Sequence, residues 1–277
     1  MGLRISTNVQ SLNAQRQLGL TNVAQRDALE HLSSGSRINK AADDAAGLAI
    51  SERMRADIRS VRQDVRNAND GVSMIQTAEG GMNEIGNILV RFRELSIQAS
   101  SDTLGDVERG FIDKEVQQLK SEVTRISGIT EFNGKKLLSG NGESLDIQVG
   151  IHNKESEDRF VYDTKKTNVS LEGLGLSGVS TLTKESARTN LDTVDSAMKT
   201  LVENRAVLGA LQNRLTAAVN NLNVYDENLS SARSRIRDTD MASETAELTK
   251  NNILSQAGVS VLGQANNNNM MALKLLG

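Results

Sequence analysis

LDTVDSAMKTLVENRAVLGALQNRLTAAVNNLNVYDENLSSARSRI, residues 191–236, is the stretch that decides the fold, because one row of apolar side chains recurs in it every seven residues. The row consists of Val194, Leu201, Leu208, Leu215, Leu222, Leu229 and Ile236. The row three residues earlier is half polar and consists of Leu191, Met198, Arg205, Gln212, Val219, Asp226 and Arg233. A two-stranded coiled coil needs both rows apolar. The stretch therefore predicts a long helix whose sevenfold row forms the core of a helical bundle.

The composition of the whole chain favours the same architecture. Its 277 residues contain no proline, whereas average usage would give roughly fourteen. Proline interrupts helices, so its absence favours long unbroken ones. Aromatic residues make up only 2% of the chain. The core must then be built from Leu, Ile, Val, Met and Ala, which suit narrow seams between helices.

Two further helices precede the sevenfold stretch. Apolar residues spaced alternately by three and four predict one helix from about residue 44 to 99. It would be roughly 80 Å long, since each helical residue adds about 1.5 Å. After the loop SSDTLGD at 100–106, the same spacing predicts a shorter helix around Ile112 to Ile126. Rods of this length indicate a bundle rather than a small globular core.

One region in the middle of the chain is predicted to be non-helical. Asn133-Gly134 and Asn141-Gly142 are turn signals, and apolar residues alternate with polar ones at 145–149. We therefore expect small β-hairpins and loops at about 137–185. The fold class predicted overall is mainly α: an elongated antiparallel helical bundle or coiled coil, with small β-hairpins in the central region and paired N- and C-terminal helices.

The two ends of the chain carry narrow apolar stripes. The N-terminal stripe consists of Ile5, Val9, Leu12, Leu20 and Val23, and the C-terminal one of Leu254, Ala257, Val261, Leu262, Leu273, Leu275 and Leu276. Stripes this narrow do not stabilise a lone helix. We expect the terminal helices to pair with each other and to bury their remaining apolar sides against neighbouring copies, which makes these residues a predicted self-association surface.

Several classes of function are not supported by the residues present. A net charge of −3 and a pI near 5.6 give no basic footprint for nucleic acid. The two histidines, His31 and His152, lie far apart in sequence and have no evident third partner. Acid pairs at 43–44 and at 238 and 240 fall where helices begin, so we interpret them as helix caps. We predict no catalytic residue, no metal site and no cofactor.

The sequence also carries no signal for a membrane or a conventional secretory route. The N-terminal MGLRISTNVQ lacks the apolar core of a signal peptide. No apolar run approaches the roughly 20 residues of a membrane span. The chain has no cysteine, which excludes disulfides and thiolate metal sites. We expect no membrane partner and, if the protein is exported, a route that uses no cleavable leader.

Long segments near both ends resemble the bacterial flagellin family. LSSGSRINKAADDAAGLAISERMRA at 32–56 looks like its N-terminal signature. NLSSARSRIRDTDMASE at 228–244 and LTKNNILSQAGVSVLGQAN at 248–266 are similar to its C-terminal one. The final QANNNNMMALKLLG departs from the family pattern because it has no proline and ends on Gly277. Two such matches in the right order are specific.

The resemblance implies a domain division and a function. Residues 1–42 and 239–277 would form a terminal coiled-coil domain lining the inner core of a filament, and 43–238 a rod-like bundle with no separate outer domains. The chain would be a structural subunit, not an enzyme, that polymerises into the flagellar filament for swimming motility. It would be exported unfolded by the flagellar type III apparatus, assembled at the distal tip, and located outside the cell.

The resemblance further implies partners. These are other copies of the chain, an export chaperone on the C-terminal helix, and the hook-associated junction and cap proteins. A flagellin-sensing Toll-like receptor of the host is a possible partner, with Arg91, Leu95 and Glu115 as candidate contacts. The alternative function is a hook–filament junction protein, which shares the terminal architecture. Copy number would separate the two.

Overall fold

The computed structural model of the protein describes residues 7–274, with side chains up to residue 267. Within them lie α1 (Val9–Ser34), α2 (Ala45–Ala99), α3 (Asp106–Ile129), β1 (Glu131–Phe132), β2 (Lys135–Lys136), β3 (Leu145–Gln148), α4 (Glu155–Asp158), β4 (Arg159–Tyr162), α5 (Lys184–Arg237) and α6 (Met241–Lys274). The strands form two separate antiparallel pairs, β1–β2 and β3–β4. The predicted mainly α fold with small β-hairpins is confirmed.

The described residues divide into two compact units. The terminal unit contains the residues up to Ile58 and those from Asn228 onward, and the central unit is Arg59–Glu227. Each long helix, α2 and α5, contributes one segment to each unit. The two units are therefore distinguished by which residues pack together, and both α2 and α5 pass without interruption from one unit into the other.

In the terminal unit α1 and α6 pair in antiparallel fashion. Asn8, which precedes α1, donates through its side-chain amide to the carbonyl oxygen of Ala265 near the other end of α6, at 3.0 Å. At the opposite end, His31 Nδ1 lies 3.1 Å from Glu244 Oε1 in the first turn of α6. The predicted pairing of the terminal helices is confirmed.

The links that leave α1 and α5 also contact each other. Gly35 ends α1 with φ of 67°, the left-handed conformation that glycine adopts most readily. Its carbonyl oxygen accepts a hydrogen bond from the amide of Thr239 at 3.1 Å, and the amide of Arg37 donates to the carbonyl oxygen of Arg237 at 2.6 Å. These backbone bonds join the segment that follows α1 to the segment that follows α5.

One acid of each predicted pair, Asp44 and Asp240, caps the start of a helix, whereas Asp43 caps the loop before α2. Asp44 Oδ1 accepts from the amide of Gly47 at 2.8 Å at the start of α2. Asp43 Oδ2 accepts from two amides of the preceding loop, at 3.0 and 2.9 Å, and these bonds are the main cause of its lowered pKa. Asp240 Oδ1 accepts from the amide of Ala242 at 2.9 Å and so caps α6.

The central unit is built on α2, α3 and α5. An Arg62–Asp226 ion pair at 3.0 Å and an Arg93–Asp195 pair at 2.8 Å show that α2 and α5 run antiparallel. The largest completely buried side chains in its core are Phe92, Ile75, Met82, Ile85, Leu89, Leu95, Leu137, Leu138, Tyr162, Leu176 and Leu208. Since the chain is poor in aromatic residues, aliphatic side chains supply most of this core.

The first hairpin lies outside the predicted range of about 137–185. Strands β1 and β2 span Glu131–Phe132 and Lys135–Lys136 and are joined by Asn133 and Gly134, with φ of 51° and 77°. Two positive φ values are what a two-residue hairpin turn needs. The second Asn-Gly pair forms no such turn: the positive φ there belongs to Gly140, and a longer loop follows. The second hairpin, β3–β4, does lie within the predicted range.

Candidate functional site

The fully buried side chains of the seam between α1 and α6 are small or polar, and half-buried Leu18 lies beside Gly258. The buried residues of the seam are Ser11, Thr21 and Ala28 on α1, and Asn251 and Ala265 on α6. Hydrogen bonds join the two helices across it: Ser11 Oγ donates to Asn266 Oδ1 at 2.9 Å, and Gln25 Nε2 to Asn252 Oδ1 at 2.7 Å. The pair is thus held without a large apolar core.

The apolar stripe of α1 faces away from α6. Leu12 and Leu20 are 56% and 59% exposed, and Val9 and Val23 are exposed as well. With 3.6 residues per turn, these positions fall on the side of the helix opposite the seam. The pairing of α1 with α6 therefore leaves this stripe uncovered.

The C-terminal stripe is also left uncovered over most of its described length. Leu254, Ala257 and Val261 are exposed, whereas Leu262 is half-buried. Ile253 and Val259 of α6 are exposed too. Of the other predicted residues, Leu273 lies in α6 but beyond the last described side chain, and Ile5, Leu275 and Leu276 lie outside the described residues.

These exposed side chains form the candidate functional site. Burying one of them fully is worth about 1.5–3 kcal/mol, and contiguous apolar surface on a folded protein marks a site of association. The sequence pointed to the stripes but not to the seam. The signal for the seam was that Ser11, Thr21 and Ala28 are separated by ten and seven residues, which places them on one side of a helix, but it is concealed because these residues are small or polar.

The sevenfold row of α5 divides into two parts. Val194, Leu201, Leu208 and Leu215 are buried in the core of the central unit. The last three members are only half-buried: these are Leu222, Leu229 and Ile236. The regular spacing of the row therefore continues beyond the end of the tightly packed core.

The candidate receptor contacts differ in accessibility. Arg91 Nε donates to Glu115 Oε1 of α3 at 2.8 Å, and a second nitrogen donates to Glu94 at 3.0 Å. The hydrogen bonds that Arg91 donates to Glu94 and then to Glu115 raise the pKa of Arg91. Leu95 is 1% exposed and packs in the core. Arg91 and Glu115 are thus the two that present their side chains at the surface.

The two histidines do not form a catalytic or metal-binding cluster with other described residues. His31 contacts Glu244 and lies partly buried between α1 and α6. His152 is exposed in the loop before α4. Among the described residues, no three His, Cys, Asp or Glu side chains cluster as a metal would require. None of the helices, over the portion that the structure covers, is long and apolar enough to cross a membrane.

Comparisons with known proteins bear on both ends of the chain. Residues 5–143 match the family model described as the bacterial flagellin N-terminal helical region, and 191–276 match the C-terminal helical region. A flagellin of Halalkalibacterium halodurans is 43% identical over 272 residues, which cover 98% of this chain and 99% of that one.

Solved structures show a similar fold. The crystal structure of Bacillus cereus flagellin aligns with a TM-score of 0.50 and 29% identity, covering 57% of this chain and 88% of that chain. A putative flagellar hook-associated protein from Vibrio parahaemolyticus aligns with a TM-score of 0.57 and 10% identity, covering 71% of this chain and all of that one. At such low identity the second likeness shows the fold alone.

Proposed function

Because the chain belongs to the bacterial flagellin family, we propose that it is the structural subunit that polymerises into a bacterial flagellar filament. The observation that carries this proposal is the uncovered apolar surface of α1 and α6. In a filament, neighbouring copies would cover that surface, and its burial would supply much of the driving force for assembly.

The proposal assigns different roles to the ends and to the middle of the chain. Residues 1–42 and 239–277 would form the inner layer, and 43–238 the rod outside it, with no separate outer domain. The seam between α1 and α6 supports these roles, because the two helices pair there while most of their apolar surface stays exposed. The sevenfold row would hold the rod together whether or not the ends are assembled.

Other partners belong to the same proposal. The exposed residues Leu254, Ala257 and Val261 offer an export chaperone an apolar face on α6. After export, the same face would bind neighbouring subunits and, at the filament ends, the junction and cap proteins. The filament would lie outside the cell, and the Arg91–Glu115 pair would be the surface available to a Toll-like receptor. The family is one of structural proteins, and we propose no catalytic activity.

The alternative is a hook–filament junction protein. Its support is that junction proteins would share the terminal architecture; the hook-associated structure at 10% identity adds only a similar fold. A full-length relative at 43% identity that is named flagellin favours the filament subunit. A junction protein would form short rings and would be present in few copies per flagellum.

The test is seeded polymerisation of the purified protein, followed by electron microscopy. Long filaments are expected from the unaltered chain. The double variant Leu20→Ser, Val23→Ser should fold as a monomer, because both side chains face away from α6. Its critical concentration should rise at least about tenfold, since tenfold corresponds to only about 1.4 kcal/mol and each side chain is worth about that much or more.

The matched control is Gln15→Ser, a change of an exposed polar residue on the same helix. It should elongate filaments as the unaltered chain does. Normal elongation by the double variant would contradict the assignment of the α1 stripe to assembly. Rings or persistent monomers from the unaltered chain would contradict the filament function and favour the junction protein.

A further inference from the structure

A large aromatic side chain is exposed on α3. Phe111 is 63% exposed, more than any other phenylalanine or tyrosine of the chain, and Val107, one turn earlier, is 67% exposed. The buried side of α3 carries Ile112, Val116 and Val123. Phe111 and Val107 therefore form an apolar knob on the surface of the central unit. Exposed apolar surface of this kind marks a site of association.

The knob carries a positive charge on one flank. Lys114 Nζ lies 5.5 Å from the centre of the Phe111 ring, a cation–π contact, and Lys114 forms no ion pair with the described part of the chain. With 3.6 residues per turn, the acids Glu108 and Glu115 lie on the other flank of Phe111, and Glu115 is already paired with Arg91. A partner that covers Phe111 from the Lys114 flank would meet an available cation.

A groove with room for such a side chain lies elsewhere in the central unit. It has a volume of about 430 Å³ and runs between α2 and the two hairpins. Its apolar lining comes from Met74, Phe132, Leu145 and Ile147, and Gly71 lets β3 approach α2 closely, since a Cβ there would lie 2.8 Å from Ile147 Cδ1. Pockets of about 300–1,000 Å³ hold small ligands. The groove is therefore large enough for a phenyl ring.

The polar lining of the groove is complementary in charge to the knob. Asp70 of α2 and Asp146 of β3 are both exposed, and neither forms an ion pair with the described residues. Lys135 is the cation of the lining. Two carboxylates and one ammonium group leave a net negative charge, which is opposite in sign to that of Lys114.

Phe111 cannot reach the groove of its own chain. Arg91 of α2 pairs with Glu115, one turn beyond Phe111, so the knob lies near Arg91. The groove lies at Gly71 of the same unbroken helix. At about 1.5 Å per residue, the two are roughly 30 Å apart along α2. A complementary knob and groove at this separation can meet only between two copies of the chain.

We propose that, in the assembled filament, the knob of one subunit docks in the groove of another, with Phe111 against the apolar lining and Lys114 beside Asp70 and Asp146. A contact between two different surfaces of the same chain is heterologous, and it continues as an open helical array when its rotation does not close into a ring. This inference rests on the proposed filament function and adds to it a contact between central units.

A charge swap tests the contact by seeded polymerisation of the full-length chain. Lys114→Glu should raise the critical concentration about fivefold, because a like charge would face the two acids. Adding Asp70→Lys and Asp146→Lys to the same chain should restore the critical concentration to within about twofold. Phe111→Ser should raise it at least about tenfold, because the ring no longer supplies its burial. Thermal melting of each monomer checks that the variants fold.

The matched control is Lys199→Glu, the same charge reversal at an exposed position of α5 outside the knob and the groove. It should leave the critical concentration near that of the unaltered chain. Equal effects of Lys199→Glu and Lys114→Glu would overturn the contact. A critical concentration that the two added lysines do not restore would also overturn it.

Cross-linking gives a direct readout, because the chain has no cysteine. Filaments of the variant with Lys114→Cys and Asp146→Cys are treated with a bifunctional thiol reagent too short to join the two sites within one chain. They should give a ladder of covalent multimers, and each single variant should give none. Dimers from Lys114→Cys alone, or filaments without a ladder, would overturn the contact and leave the filament function intact. Absence of filaments from the unaltered chain would overturn both.

Discussion

At the scale of single residues, a few side chains determine where the long helices turn and how closely the hairpins approach. Arg109 of α3 is 7% exposed. Its guanidinium donates to the carbonyl oxygens of Ala99 and Ser101, each at 3.0 Å. The last carbonyls of a helix have no partner within the helix. Arg109 therefore caps α2 from the neighbouring helix.

Replacing Arg109 by alanine should destabilise the protein. The change leaves buried carbonyl oxygens without a donor, and hydrogen bonds to a charged group contribute about 1.5–3 kcal/mol. Chemical denaturation of the monomer should show a loss in that range. Arg125→Ala, which removes an exposed ion pair with Glu122, should cost less than about 1 kcal/mol; equal losses for the two variants would refute the capping role.

Two glycines of α2 should respond in opposite ways to alanine. A Cβ at Gly71 would lie 2.8 Å from Ile147 Cδ1 and 3.3 Å from Leu215 Cδ1, whereas one at Gly80 would meet nothing within 4 Å. Gly71→Ala should therefore cost about 1–3 kcal/mol through overpacking. Gly80→Ala should stabilise the helix by up to about 1 kcal/mol. Melting temperatures should move in opposite directions, and a stabilising Gly71→Ala would show that the hairpin is free to shift.

At the scale of elements, α5 shows that sequence periodicity and burial are separate properties. Its sevenfold row is unbroken from Val194 to Ile236. Packing is tight only as far as Leu215, and beyond it the row is half-buried. The spacing sets which side of the helix is apolar, whereas the surrounding elements set how completely that side is covered.

Alanine substitutions along the row should therefore differ in cost. Leu208 is 1% exposed, so Leu208→Ala should cost about 2–5 kcal/mol by transfer and cavity formation. Leu222→Ala, at a half-buried position, should cost about 1 kcal/mol. Urea unfolding of the monomer provides the comparison. Equal losses would mean that the two parts of the row are packed alike.

At the scale of the whole molecule, the two units differ in what stabilises them. The continuous hydrophobic core belongs to the central unit. The terminal pair is held by small residues and hydrogen bonds such as Ser11–Asn266, each of which contributes only about 1 kcal/mol net. The unit that carries the proposed assembly surface is thus the one with less internal stability.

In the monomer, α1 and α6 should open more often than the central helices. Hydrogen exchange should give low protection in Val9–Ser34 and Met241–Lys274 and high protection in 59–99 and 184–227, because local stability follows buried apolar contact. Assembly should raise protection in α1 and α6 specifically. Equal protection of both units in the monomer would contradict this account.

The sequence by itself determined the helices, the sevenfold row, the capping acids and the two apolar ends, because each is a local property of spacing and residue type. Only the tertiary structure decided which face of α1 meets α6, that Leu95 is inaccessible, that Leu222 lies beyond the tight core, and that Asp64 is buried. These depend on contacts between residues far apart in the chain. Ser11, Thr21 and Ala28 look unremarkable in sequence, and their importance arises because small side chains let two helices approach closely.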